Sequence, residues 1–128
     1  MNILVGYDGT EESKRGLKLA KMHAKAFNGK LLVLQSRVTS LPEKDFKKAE
    51  KEMEEIKKEA EKSGINCETF LQVKAMTPGE HIIQFAEKNK IDEIVIGFVS
   101  SAKLGKLFLG STASYILEKT RCTVVIAR

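Results

Sequence analysis

Four short segments of the chain leave almost no polar face for water: NILVGY at residues 2–7, KLLVLQS at 30–36, DEIVIG at 92–97 and CTVVIA at 122–127. A strand with one solvated side alternates apolar and polar residues. These runs do not, so both of their faces must be covered. That condition restricts the architecture sharply. Strands of this kind belong in a parallel sheet with helices on both sides, linked by right-handed crossovers, and the intervals between the runs supply the helices.

In the first interval, EESKRGLKLAKMHAKAFNG, the residues Leu17, Ala20, Ala24 and Phe27 recur at helical spacing, and Asn28-Gly29 is the stop. After Leu41-Pro42, Phe46, Ala49, Met53, Ile56 and Ala60 step by three and four residues among lysines and glutamates, which predicts an amphipathic helix ending at Gly64. INCETFLQV then reads as a further strand. Pro78-Gly79 opens a helix whose apolar side includes Ile82, Ile83 and Ala86, and a last helix runs from about Ser111 to Lys119. The order is βαβαβαβ, a long loop, then αβ. The expected fold is α/β, an open five-stranded parallel sheet with helices on both faces, in one domain spanning 1–128. A hydrophobic fraction of 42% in 128 residues suffices for one core of ordinary size.

Composition excludes several functions. No apolar run reaches about 18 residues, and no basic leader precedes an apolar segment at the N-terminus, so the chain is expected to be cytoplasmic, without a membrane partner. The net charge of +5 is spread along helices that also carry acids, and with no tryptophan and two tyrosines there is no basic-aromatic interleaving for nucleic acid. Cys67 and Cys122 lie far apart in apolar stretches, with no metal-ligand or redox spacing, and read as two buried thiols. No metal site is expected.

In an open parallel sheet ligands bind beyond the C-terminal ends of the strands, where the strand order reverses. Three segments qualify: Gly6-Tyr7-Asp8-Gly9-Thr10, Gln35-Ser36-Arg37-Val38 and the loop from Gly97 to Ser111. Asp8-Gly9-Thr10 is similar to the nucleophile region of haloacid-dehalogenase phosphatases, which need an aspartate two residues earlier. Gly6 stands there, so no phospho-aspartyl intermediate can form. Asp8 is left as either a turn and N-cap residue or a ligand contact. The loop is not a Walker A motif, since its spacing is absent and no lysine follows Gly110. Gly110-Ser111-Thr112 instead opens a helix, where backbone N–H groups and the helix dipole favour an anion, and capping alone is the competing explanation. Gly97 would let another backbone come close, and Lys103 and Lys106 share the loop. His23 and His81 are expected to be partly buried or at the surface, and no catalytic residue is assigned.

ILVGYDGTEES at the start, IDEIVIG before the loop and LGSTASYILEKTRCTVVIAR at the end, with the size and order of the elements, are the features by which the chain resembles the universal stress protein family over essentially its whole length. The resemblance implies a Rossmann-like sheet of the adenine nucleotide alpha hydrolase type, with strand order 3-2-1-4-5. It implies a stress-response or regulatory domain that binds ATP or AMP at the C-terminal end of the sheet, Mg²⁺ accompanying ATP, with at most slow ATPase activity. Homodimers through the last strand, Thr123 to Arg128, and an unknown regulatory protein partner are further implications. The family's nucleotide loop reads G-x2-G-x9-G-[ST]. Gly97, Gly110 and Ser111 match it, whereas Ser100 stands at the second glycine, Phe98 and Val99 lie between, and Gly105 is in the wrong register to substitute. By position Asp8 would approach the adenine, Ser36 would offer backbone to the base, and Ser111 and Thr112 would lie near the phosphates. Tyr7, Ile96, Gly97, Ser100 and Gly110 complete the implied site. The alternative is a nucleotide-free dimeric interaction module in which Phe98 and Val99 fill or cap a degraded site.

Overall fold

A computed structural model describes residues 1–98 and 110–128. Its elements are β1 (Asn2–Gly6), α1 (Glu11–Ala26), β2 (Lys30–Arg37), α2 (Glu43–Lys62), β3 (Asn66–Val73), α3 (Pro78–Lys88), β4 (Glu93–Gly97), α4 (Ser111–Lys119) and β5 (Thr123–Ala127). The strands form one sheet in the order β3-β2-β1-β4-β5, and every pairing is parallel. Both the α/β class and the strand order expected from the sequence are present.

The two-faced apolar character of the strands has a direct structural counterpart. Ile3, Val5, Leu31, Val33 and Val95 point to one side and pack with Leu17, Ala20 and Ala24 of α1 and Met53, Ile56 and Ala60 of α2. The alternate residues Leu4, Leu32, Leu34 and Ile94 point to the other side and meet Ile82, Phe85 and Ala86 of α3 and Ile116 of α4. A strand between two such cores has no position for a solvated side chain.

Two expectations are corrected. Phe27 is 58% exposed and does not join the core face of α1, because the helix ends at Ala26 and Phe27 takes non-helical dihedrals. Its ring packs edge-on against His23 at 5.6 Å instead. Of the two thiols, Cys67 is buried but Cys122 is only half-buried, its Sγ donating to the Ile91 carbonyl at 3.1 Å.

From β1 the chain proceeds outward through β2 to β3, and α3 then carries it back to β4 on the opposite side of β1. The strand order therefore reverses beside β1. A crevice opens there, because the connections leaving β1 and β4 depart to opposite faces of the sheet.

Candidate functional site

The crevice is a cleft of about 490 Å³ at the C-terminal ends of β1, β2 and β4, closed on its helical side by the starts of α1, α3 and α4. Tyr7, Asp8, Ser36, Ile96, Gly97, Gly110, Ser111 and Thr112, which the sequence singles out from four distant segments, all line it. Ser100 lies outside the described residues, as do Val99, Lys103, Gly105 and Lys106.

At the end of β1, the Tyr7 ring is buried between the sheet and the α1/α2 layer, and its hydroxyl donates to the Glu52 carboxylate of α2. Burial and the neighbouring Glu52 both push the phenol pKa upward, so the group stays protonated. The Tyr7 hydroxyl is committed to α2, and the residue lines the cleft. Asp8 closes a turn: Oδ1 accepts from the Thr10 N–H at 3.0 Å and from the Thr10 hydroxyl at 2.5 Å, across Gly9 at φ +85°. Partial burial raises the Asp8 pKa, but the Thr10 and Ser13 donors and the Arg37 charge together outweigh it and hold the carboxyl below its ordinary value. The N-cap of α1 is Thr10, whose Oγ1 accepts from the Ser13 N–H at 3.3 Å. Asp8 is thus the turn residue that orients the cap and is not itself the cap. Asp8 is exposed and lines the cleft.

Gly97 ends β4 against the first turn of α1. A Cβ there would lie 1.8 Å from the Glu12 carbonyl oxygen and 2.4 Å from its carbon, so the backbone that comes close is the protein's own. Phe98 follows, buried, its N–H donating to the Ala127 carbonyl at 2.8 Å and its carbonyl accepting from Arg15 Nη2 at 2.8 Å. It forms part of the cleft wall and leaves the cleft open beside it.

The helix that opens the other wall, α4, has Gly110 as its N-cap and no side-chain cap among the described residues. Ser111 and Thr112 are its first two helical residues, so their hydroxyls do not cap it, and among the described residues neither hydroxyl has a hydrogen-bond partner. The N–H groups of that first turn carry the positive end of the helix dipole into the cleft. Gly110 itself has φ −59°, open to any residue, and a Cβ on it would meet nothing within 4 Å among the described residues. Among the described residues, neither backbone strain nor a close neighbour requires a glycine here.

Sequence reasoning missed the remaining walls. Leu34, Ile82 and Ile94 give the cleft an apolar floor, and Glu12 and Ser13 line it from α1. The apolar periodicity that marks these residues as core gives no sign that they stop at a cavity. His81 corrects an expectation: it is 1% exposed, with Nδ1 2.5 Å from Ser36 Oγ and Nε2 2.9 Å from Gln72 Oε1. Burial, with a smaller contribution from Lys74, lowers its pKa and keeps the imidazole neutral. Among the described residues no group of three or more metal-ligating side chains is found, and no helix is long and apolar enough to cross a membrane.

A sequence model of the universal stress protein family matches residues 1–128. The chain is similar to a universal stress protein of Thermus aquaticus, with 31% identity over 135 residues, covering 98% of this chain and 97% of that relative. Among solved structures, a universal stress protein from Archaeoglobus fulgidus superposes with a TM-score of 0.83 at 25% identity, covering 100% of this chain and 98% of the other. One from the same organism, in complex with dAMP, superposes with a TM-score of 0.79 at 22% identity and the same coverage.

Proposed function

As the chain belongs to the universal stress protein family, we propose that its cleft binds an adenine nucleotide, ATP or AMP, as a regulatory ligand without fast turnover. The observation that carries this reading is Gly110. It is the N-cap of a helix that has no side-chain cap among the described residues, it faces the cleft, and no described neighbour fills the space a Cβ would take. A phosphate seated on the first-turn N–H groups supplies a reason for the glycine, since a Cβ would obstruct it. The cleft volume falls in the range of small-molecule sites. The dAMP complex of the Archaeoglobus fulgidus neighbour supports the ligand class. In this reading Gly97, Gly110, Ser111 and Thr112 hold ribose and phosphates, while Asp8, Ser36 and the Tyr7 and Ile96 backbones address the nucleoside. Ser100 is assigned to the loop over the phosphates, and Mg²⁺ enters only as the ion that accompanies ATP. The same reading includes a homodimer through β5, whose outer edge ends the sheet.

The test is a thermal-shift titration with AMP and with ATP, with and without Mg²⁺, on the unchanged protein and on Gly110→Val. Ligand at a hundred times its dissociation constant stabilises the fold by about 2.7 kcal/mol. The unchanged protein is expected to show that shift. Gly110→Val, whose side chain would meet no described neighbour, is expected to fold with only the modest loss of Tm that a poorer N-cap brings, and to lose the ligand-induced shift. A flat response of the unchanged protein at millimolar nucleotide would overturn the proposal.

A further inference from the structure

Among the described residues of the cleft, Ser36 has its hydroxyl orientation fixed by a buried relay. Its Oγ lies 2.5 Å from Nδ1 of His81, and Nε2 of His81 lies 2.9 Å from Oε1 of Gln72. An amide oxygen can only accept, so Nε2 carries the imidazole hydrogen and Nδ1 presents a lone pair. The Ser36 O–H must then donate to Nδ1. With that hydrogen committed, Ser36 Oγ faces the cleft with lone pairs only: it can accept a hydrogen bond from a ligand and cannot give one. His81 is 1% exposed on α3, so water does not compete for the arrangement.

The topology says what part of a ligand meets this acceptor. The anion-binding turn of α4 lies beyond β4, whereas Ser36 belongs to β2, and β1 lies between the two strands. Two strand spacings place the ends of β4 and β2 about 10 Å apart. A nucleotide with its phosphate on α4 therefore lays its base toward β2, over the apolar floor of Leu34, Ile82 and Ile94. The edge of that base meets an obligate acceptor.

We propose that Ser36 selects a purine bearing an exocyclic amine over one bearing an oxo group, and that His81 is the positioning residue that makes it do so. The inference rests on the adenine-nucleotide reading above. An amine donates to Ser36 Oγ, whereas an oxo group opposes it lone pair to lone pair and leaves both unsatisfied.

The experiment is calorimetric titration of AMP and of inosine monophosphate, which carries an oxo group in place of that amine and a hydrogen on the neighbouring N1, into the unchanged protein, Ser36→Ala, His81→Leu and the double variant. AMP is expected to bind the unchanged protein more tightly. In Ser36→Ala the AMP-to-inosine-monophosphate ratio is expected to fall about tenfold, the worth of one hydrogen bond of about 1.4 kcal/mol. His81→Leu frees the hydroxyl to rotate and is expected to lower the ratio similarly, the double variant adding nothing further. His81→Gln, whose amide oxygen can accept the same hydrogen, is expected to restore it. Should His81→Leu fail to fold, Ser36→Ala, at a half-buried strand end, decides the matter alone. A ratio unmoved by Ser36→Ala while AMP still binds would overturn the selectivity role and leave the nucleotide reading standing. Absence of AMP and ATP binding to the unchanged protein would overturn both.

Discussion

Gly97 and Gly110 belong to one sequence pattern and hold their places for opposite reasons. At Gly97 a Cβ would be driven into the Glu12 carbonyl, whereas at Gly110 it would project into open space among the described residues. The first glycine keeps α1 against β4, and in the proposed reading the second keeps the mouth of α4 clear for a phosphate. Gly97→Ala is therefore expected to destabilise the fold by about 1–3 kcal/mol, since α1 or the end of β4 must move to admit the methyl. Gly110→Ala is expected to cost less, about 0.5–1 kcal/mol, the difference between glycine and alanine at a helix N-cap. Urea midpoints of the two variants check this directly, and equal losses would show that the distinction is wrong. The spacing of the glycines was legible in the sequence, but which of them serves packing was not, because the clash partner, Glu12, lies 85 positions away in the chain. Ser36 was legible as a strand-end residue. Its relay was not, for His81 and Gln72 are brought to it by α3 and β3, and no local pattern joins them.

Three of the helices stop in the same way, which explains why some boundaries could be read and one could not. After α1, α2 and α3 the backbone passes through a left-handed residue, Asn28 at φ 51°, Gly64 at φ 81° and Lys90 at φ 52°. The next residue's N–H then returns to a carbonyl of the last turn: Gly29 to Ala24 at 2.8 Å, Ile65 to Ala60 at 3.0 Å and Ile91 to Ala86 at 3.1 Å. Glycine and asparagine advertise such a turn because they tolerate the conformation, and both stops were read from the sequence. Gly29, the second half of the first signal, is there for another reason: a Cβ on it would lie 2.9 Å from the Met1 carbonyl oxygen. Lysine advertises nothing, and its left-handed geometry is imposed by the packing of Ile91 behind it. An L-residue in that region pays roughly 1–2 kcal/mol. Lys90→Gly is therefore expected to stabilise the domain by about 1 kcal/mol after glycine's greater unfolded-state freedom is deducted. Chemical denaturation measures it. A loss of stability would mean that the lysine side chain contributes more than its backbone strain costs.

At the scale of the molecule, hydrophobic periodicity established that the strands are sandwiched, but it carries no information on their order, which came from the family resemblance and is present in the structure. That order leaves β3 and β5 as the two edges of the sheet. They differ in how inviting they are. β3 carries Glu68, paired to Lys30 at 2.9 Å, on an eight-residue strand, and charge discourages pairing with another chain. β5, TVVIA, has no charged residue, and Ile126 is 37% exposed on it. A second copy related by a two-fold axis would find there an unpaired backbone edge and an apolar surface, which supports the homodimer proposed above. Ile126→Lys tests this without touching the core. A dimer would bring two of the new charges together on chains that already carry +5 each, so sedimentation equilibrium is expected to show the variant as a monomer where the unchanged protein is a dimer. An unchanged protein that sediments as a monomer, or a variant that remains dimeric, would remove β5 from consideration. The same variant separates assembly from ligand binding. The cleft is already formed within a single chain by the described residues, so the monomeric variant is expected to bind AMP within about threefold of the dimer, a difference below about 0.7 kcal/mol. A larger loss would mean that pairing at β5 reaches the cleft, and the path is in place, since the Phe98 N–H that helps fix the cleft wall is bonded to the Ala127 carbonyl of β5.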